Sequence, residues 1–289
     1  MLHRGRGYGV NHLYAKRRLA QGYPNLDTLA FEQFTSTLEK NENEGANAAL
    51  RSETLLKLLD RLVGLSDLNN ILVLGCGPRP LRIKTLMEEN YDVVGVEAAS
   101  SFVRSAEKYL GSSGRVVEGA AEEIPLPSNS QDVVICESVL EHVDSPTKSL
   151  DEIFRVLGPG GVAFIETTNR YRISLTGANA EFNVKYYNWL PDTVKESFVF
   201  HHLHYDPRLA NYTTRPAVHW YSYADLCRLG RQAGFGHFYS ILDLLDVSDP
   251  LVAKSRARRF LLKKLKFNPW LRALTLTQRG SPMFMLKRR

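Results

Sequence analysis

The chain has 289 residues, 44% of them hydrophobic and 24% charged, with a formal net charge of +6. This size and balance suit one core-forming α/β unit with insertions, or at most two small domains, and exclude a fibrous or disordered chain. No apolar run approaches the roughly 20 residues needed to cross a bilayer.

The charge is unevenly placed. Residues 251–289 hold 12 Lys/Arg and no Asp/Glu, while the other 250 residues carry 25 basic and 31 acidic side chains. The basic character therefore belongs to the C-terminal segment. Such a segment suits an anionic lipid surface, a nucleic acid or an acidic partner, and equally a solvated helix face. The three cysteines, Cys76, Cys136 and Cys227, form no CxxC pair. A reduced, cytoplasmic protein is expected, without structural zinc or disulfides.

Along the chain, residues 1–45 read as an N-terminal arm. It is basic, acid-free up to Asp27, and lacks the apolar stretch of a secretory signal. A helix is expected from Asn47 to Gly64, with Leu55, Leu58, Leu59 and Leu62 on one face. Short β-branched runs then alternate with helical stretches. The strands are ILVL (71–74), DVVGV (92–96), RVV (115–117), DVVIC (132–136) and GVAFIE (161–166); the helices lie near 80–90, 100–110 and 147–157. Alternation of this kind predicts βαβ units and a parallel sheet covered on both faces. Gly158 and Pro159 are expected to stop the third helix. Residues 171–218 read as an inserted lid, rich in aromatics and histidines. Regular structure resumes in a C-terminal part, 219–289, with a helix at 222–233, a strand at about 236–243, a basic helical insertion at about 250–275, and a closing strand, SPMFMLKR (281–288).

The sequence ILVLGCGPRP (71–80) reads as a strand, a glycine turn and a helix. Gly75 and Gly77 lack a Cβ, so the turn can be tight and the backbone can approach a ligand. Pro80 suits the first helical turn and stands where a dinucleotide fingerprint wants its third glycine. The next strand ends in VGVEAA (94–99). Glu97 thus lies twenty residues beyond Gly77 at a strand's carboxyl end, where a carboxylate can accept from both hydroxyls of a ribose.

Taken together, VLGCGPRP, VVGVE, VVEGAAEEIPLPSNSQDVV, ESVLEHV and RVLGPGG resemble the successive motifs of class I S-adenosylmethionine methyltransferases, in the broad small-molecule, quinone and sugar group. The resemblance covers roughly residues 70–170, with weaker support from 219–235 and the last strand. It implies a Rossmann-like, seven-stranded, mostly parallel sheet with helices on both faces and a final antiparallel strand. It also implies S-adenosyl-L-methionine as cofactor. Gly75, Cys76 and Gly77 would line its methionyl end, Glu97 would hold the ribose, and Ala98 would pack on the adenine. Ala120 occupies the place of the family's usual acidic residue, and Ala121 would offer backbone groups to the adenine. Cys136 and Glu137 would face the methionine portion.

An alcohol or phenol acceptor must lose a proton during transfer, so a base within reach helps. His142, in ESVLEHV, is the candidate catalytic residue; the alternative is that it only orients the adjoining helix. Some quinone methyltransferases of the group bind a divalent ion through Glu-x-x-Glu-His. Here Ser138 stands at the first Glu position, and no metal is expected. The cluster His201, His202, His204 and Tyr205, with His219 further on, matches no familiar ligand spacing. Tyr186, Tyr187, Trp189, Tyr205 and Trp220 could stack on an acceptor ring or form the insertion's own core.

The expected function is methylation of a hydroxyl on a small molecule or glycan. Two alternatives stand beside it: an RNA methyltransferase using the basic C-terminal segment, and an inactive methyltransferase-fold binding protein, suggested by Pro80 and Ala120. Residues 257–276 are read as a peripheral contact with an anionic membrane, with Phe260, Leu261, Leu265 and Trp270 turned inward; packing against the body is the other reading.

Overall fold

A computed structural model describes residues 43–66, 68–169, 185–191, 193–195, 217, 219–253, 255–276 and 282–288. Nearly all of the proposed arm, most of the proposed lid, and His201, His202, His204 and Tyr205 lie outside the described residues.

The chain runs through α1 (Asn43–Val63), β1 (Asn70–Leu74), α2 (Leu81–Glu88), β2 (Asp92–Glu97), α3 (Ser100–Leu110), β3 (Arg115–Glu118), β4 (Gln131–Glu137), α4 (Pro146–Val156) and β5 (Leu157–Glu166). After the proposed lid come α5 (Tyr223–Ala233), β6 (His237–Ser240), α6 (Ile241–Leu244), α7 (Pro250–Ala253), α8 (Arg256–Phe267), α9 (Pro269–Leu276) and β7 (Met283–Leu286). The seven strands form one sheet in the order β3-β2-β1-β4-β5-β7-β6. β1 to β5 pair in parallel, and β7 runs antiparallel to both β5 and β6. The strand order reverses between β1 and β4, which in open α/β sheets opens a crevice at the carboxyl ends of the strands.

Both faces of the sheet are covered, as the apolar strand sequences require. Because side chains alternate along a strand, each strand feeds two cores. Ile71, Val73, Val133, Ile135, Val162 and Phe164 pack against Leu55, Leu58 and Leu59 of α1, Ile83 and Leu86 of α2, and Leu262 and Leu265 of α8. Leu72, Leu74, Val134, Cys136, Ala163 and Ile165 pack against Leu150 and Ile153 of α4 and Leu226 and Leu229 of α5. Ser222 and Asp225 form a capping box at the start of α5, a device worth about 1 kcal/mol.

The departures from the sequence reading have local causes. Strand β5 begins at Leu157, so LGPGG lies inside the strand rather than in a helix stop; the pairing with β4 is irregular between Gln131 and Val133, which accommodates the extra residues. The predicted strand at 236–243 ends at Ser240, because Ser240 and Asp243 cap a short helix there. The basic insertion, expected to be helical, is built of three helices. The break between α8 and α9 falls at Asn268-Pro269, where proline cannot continue the hydrogen-bond ladder.

Arg61 near the end of α1 fastens this insertion to the body. Its two terminal nitrogens donate to the Asp249 carboxylate, each at 2.7 Å, and Asp249 is almost fully buried. Burial raises the Asp249 pKa, but the bonds from Arg61 outweigh it and hold the carboxyl below its usual range. Arg61→Ala is expected to lower stability by about 2–3 kcal/mol, less than the roughly 3–5 of a fully enclosed pair because the guanidinium keeps some solvent contact. Urea denaturation at neutral pH measures the difference. The wild-type advantage should vanish as pH falls through the depressed Asp249 value.

Candidate active site

A cavity of about 220 Å³ opens at the carboxyl ends of β1, β2 and β4. Its wall gathers Gly75, Gly77, Glu97, Ala98, Ala120, Ala121 and His142, all singled out from sequence. It also contains Leu74, Pro78, Val96, Phe102, Gly119, Glu122, Ser138, Val139 and Val143, which the sequence reading did not assign. No Lys or Arg is among these lining residues, whereas two are glutamates.

The turn after β1 explains the glycines. Gly75 has φ +68° and Gly77 has φ +69°, the left-handed region that favours glycine. A Cβ on Gly75 would lie 2.3 Å from Cγ2 of Val139, so the two loops can meet only if residue 75 has no side chain. A Cβ on Gly77 would meet nothing within 4 Å; its α-carbon faces open space. The Gly75 N–H donates to the Val96 carbonyl at 2.7 Å, which ties the turn to the end of β2.

Glu97 is the hinge of the site. Gly77 N–H donates to Oε2 at 3.0 Å and Ala99 N–H donates to Oε1 at 3.1 Å. The residue is only 8% exposed, yet it lines the cavity. Each carboxylate oxygen has spent one acceptor site on the backbone and has capacity for another partner. Glu122 is committed elsewhere: its Oε1 accepts from the N–H groups of Asp144 and Ser145, at 2.7 and 3.2 Å, just before α4. It thereby joins the segment after β3 to the loop that carries His142.

That loop, 138–143, is fastened from behind. Ser138, a non-glycine residue at φ +55°, donates its N–H to the Glu166 carbonyl at 2.8 Å. Glu141 is buried and accepts from the hydroxyls of Thr167 and Thr168, at 2.7 and 3.4 Å. Tyr221 donates its hydroxyl to the Leu140 carbonyl at 2.9 Å, and His219 Nε2 lies 2.8 Å from the Val143 carbonyl. A carbonyl oxygen only accepts, so the proton of this imidazole sits on Nε2. The main-chain N–H of His219 also donates to the Glu141 carbonyl at 3.2 Å. His219 therefore holds the loop that presents His142.

Three residues named from sequence have side chains outside the cavity wall. Cys76 packs under β2 beside Gly95, and burial together with the Glu97 charge pushes its thiol up to about 12. Cys136 points into the core shared with α4 and α5, and burial raises its pKa strongly. Neither thiol ionises near neutral pH. Glu137 is occupied by two arginines: Arg82 donates to it through Nε and Nη2 at 2.7–3.1 Å, and Arg51 donates at 2.9 Å. Arg51 also donates to Glu166 at 3.2 Å, whose own pKa is raised by burial despite that cation. These pairs dock α1 and α2 over the ends of β4 and β5.

Of the aromatics proposed to stack on an acceptor, Tyr187 and Trp220 are buried, while Tyr186 and Trp189 are exposed and pack on each other at 5.2 Å. The Lys195 ammonium lies 5.4 Å from the centre of the Trp220 ring. Among the described residues, no group of three or more His, Cys, Asp or Glu is gathered as metal ligands would be.

Residues 72–165 match the family described as "Methyltransferase domain". The sheet order and the crevice at its switch point are those of the Rossmann-like methyltransferase fold, in keeping with this match. Among curated relatives, the ubiquinone biosynthesis O-methyltransferase of Pseudomonas fluorescens is 31% identical over 131 residues, covering 42% of this chain and 54% of that protein. The protein of the same name from Nitrosospira multiformis is 27% identical over 182 residues, covering 58% of this chain and 74% of that one. The chain thus spans about half the length of the first and about three quarters of the second. In fold, the chain is similar to the plantazolicin methyltransferase BamL, solved with a triazolic desmethylPZN analog and SAH, at a TM-score of 0.53, 13% identity and 96% coverage of each chain.

The glycine turn gives a discriminating test. Gly77→Ala is expected to cost about 1 kcal/mol, the backbone strain alone. Gly75→Ala should cost about 2–4 kcal/mol, since strain and the clash with Val139 add. Denaturant titration of the two variants side by side reads the difference.

Proposed function

We propose that the cavity binds S-adenosyl-L-methionine and that the chain methylates a hydroxyl group on a small molecule or glycan. The observation that carries this reading is the Glu97 carboxylate, clamped by the Gly77 and Ala99 N–H groups and facing a cavity with no Lys or Arg among its described lining residues. A ribose needs a carboxylate with spare acceptor capacity at this place. A dinucleotide would bring phosphates, which two glutamates and no cation would repel. A sulfonium is the opposite case, a cation for which this wall is favourable.

The residues fit the cofactor. Glu97 would accept from the ribose hydroxyls. Ala98, Phe102, Ala120 and Ala121 would enclose the adenine, with Phe102 supplying an apolar ring. Gly75 and Gly77, lacking side chains, would let the backbone lie close to the methionyl end, where open space borders Gly77. When bound, S-adenosylmethionine supplies an electrophilic methyl group. The side chains of Cys76, Cys136 and Glu137 take no part in this reading, since core packing and ion pairs occupy them.

His142 would take the acceptor's proton at a ring nitrogen. It lies in the cavity wall, and its loop is held by Glu141, His219 and Tyr221, so the imidazole is positioned before an acceptor arrives. Holding an acceptor against the methyl donor, with such a base within reach of its hydroxyl, would supply much of the rate that an enzyme of this class requires. The name shared by the two curated relatives supports oxygen as the methylated atom.

Calorimetry with S-adenosylmethionine tests the pocket. Glu97→Ala should weaken binding by about 1–3 kcal/mol, roughly 5- to 150-fold, as when a hydrogen-bonded charged group is lost. An unchanged dissociation constant in a folded variant would contradict the assignment. His142→Ala should lower turnover by about 10²–10⁴-fold while cofactor affinity changes little; loss of affinity with turnover retained would make the residue structural.

A further inference from the structure

Helix α8 carries two apolar stripes, and only one of them faces the protein. Leu262 and Leu265 are buried against the sheet, while the other ten residues of the helix are exposed. Of the residues expected to turn toward a membrane, Leu265 instead packs on the body, whereas Phe260 is 64% exposed and Trp270, at the start of α9, is 84% exposed; Phe267 is 86% exposed. Phe260 and Phe267 are seven residues apart, two helical turns, and so share a face. At about 100° per residue, Leu262 and Leu265 lie about 200° and 140° round from Phe260, so the second stripe points directly away from the body. Leu261 and Leu271 widen it.

Cations border this stripe. Arg256, Arg258, Arg259, Lys263, Lys264 and Lys266 are all exposed, and α8 contains no acid. The Lys264 ammonium lies 5.5 Å from the centre of the Phe260 ring. The helix is not left loose. Leu262 and Leu265 anchor it, Arg61 ties down Asp249 just before α7, Arg272 of α9 donates to Asp243 of α6, and Asn169 Nδ2, beyond the end of β5, donates to the Leu276 carbonyl at 3.0 Å. That last bond brings the end of α9 to the sheet edge at which the cavity opens.

We infer that α8 and the start of α9 form a docking face for an anionic phospholipid bilayer. The face is a convex helix surface with large apolar side chains at its crest and cations on its flanks. A bilayer offers complementary layers: acyl chains that accept Phe260, Phe267 and Trp270, and anionic headgroups that pair with the flanking lysines and arginines. Phosphates of a nucleic acid would satisfy the cations and could stack on the aromatics, but would leave Leu261 and Leu271 in water; the aliphatic part of the stripe therefore favours lipid. The inference is independent of the methyl acceptor and of the cofactor site.

The test is co-sedimentation of the full chain with vesicles of phosphatidylcholine and phosphatidylglycerol (70:30) and of phosphatidylcholine alone. Binding to the anionic vesicles should be at least about tenfold tighter and should fall as salt is raised from 0.15 M to 0.5 M. The double variant Phe267→Ser/Trp270→Ser should bind the anionic vesicles at least about tenfold more weakly, and Lys263→Glu/Lys264→Glu likewise, with S-adenosylhomocysteine binding unchanged in both. All four substituted side chains are exposed, so folding is not at stake. Absence of co-sedimentation overturns the inference. So does an aromatic variant that binds like wild type, or tighter binding to a 20-nucleotide RNA than to the anionic vesicles, either of which would make the face a general polyanion site.

Discussion

The site depends on one clasp, in which the Glu97 carboxylate takes an N–H from each of two chain segments. Gly77 follows β1 and Ala99 follows β2, so a single side chain fixes two neighbouring strand ends. Two backbone bonds extend the stitching across three strands: Gly75 N–H to the Val96 carbonyl, and Gly119 N–H, after β3, to the Glu97 carbonyl at 3.0 Å. A carboxylate this buried would be costly without partners, and charge-assisted bonds from main-chain donors offset that cost. The clasp in turn imposes the glycines. Gly77 aims its N–H at Glu97 from a left-handed backbone, and Gly75 bends the chain where Val139 leaves no room for a side chain.

The opposite wall is organised by different means. The loop 138–143 has little regular structure of its own and is held by long-range contacts from the end of β5 and from residues 219–221. Its geometry is thus set by rigid neighbours, the usual way a functional loop gains precision. Ser138 in the left-handed region, where the chain leaves β4 for this loop, is the kind of backbone strain that persists only when its surroundings over-determine it.

What could be read in the sequence follows from how local each cause is. The alternation of strands and helices is written in short apolar runs, and five strands and four helices fall within a few residues of their expected places. Glu97 was legible because a glycine turn and an acid at the tip of the next strand are linked by one βαβ step. Strand parity bears on the other assignments: Cys136 shares a face with Val134 and turns to the core, whereas Glu137 turns the opposite way. What parity cannot supply is the partner, since Arg82 and Arg51 reach Glu137 across 55 and 86 residues. Phe102, Val139 and Glu122 escaped notice for the same reason. Each is unremarkable in its own segment and joins the cavity only because β1, β2 and β4 are neighbours in the sheet. The short helix after Ser240 was hidden differently, by a capping box inside an apolar run that also suits a strand.

The two charged regions of the chain divide its surfaces by role. Acid is concentrated where the cavity is, with Glu97 and Glu122 in the wall and Glu137 and Glu166 beside it, and Arg51 and Arg82, which approach this edge, pair with Glu137 and Glu166. The excess of cations is instead carried on α8, which lies in the chain between β6 and β7, the strands at the opposite end of the sheet order from β3 and β2. The acidic edge and the basic helix therefore draw on separate sets of side chains. One of the contacts that fasten the insertion, Arg61 to Asp249, starts from α1, the helix whose Arg51 also reaches the strand ends beside the cavity. Helix α1 thus contacts both the insertion that carries the basic face and the strand ends beside the site.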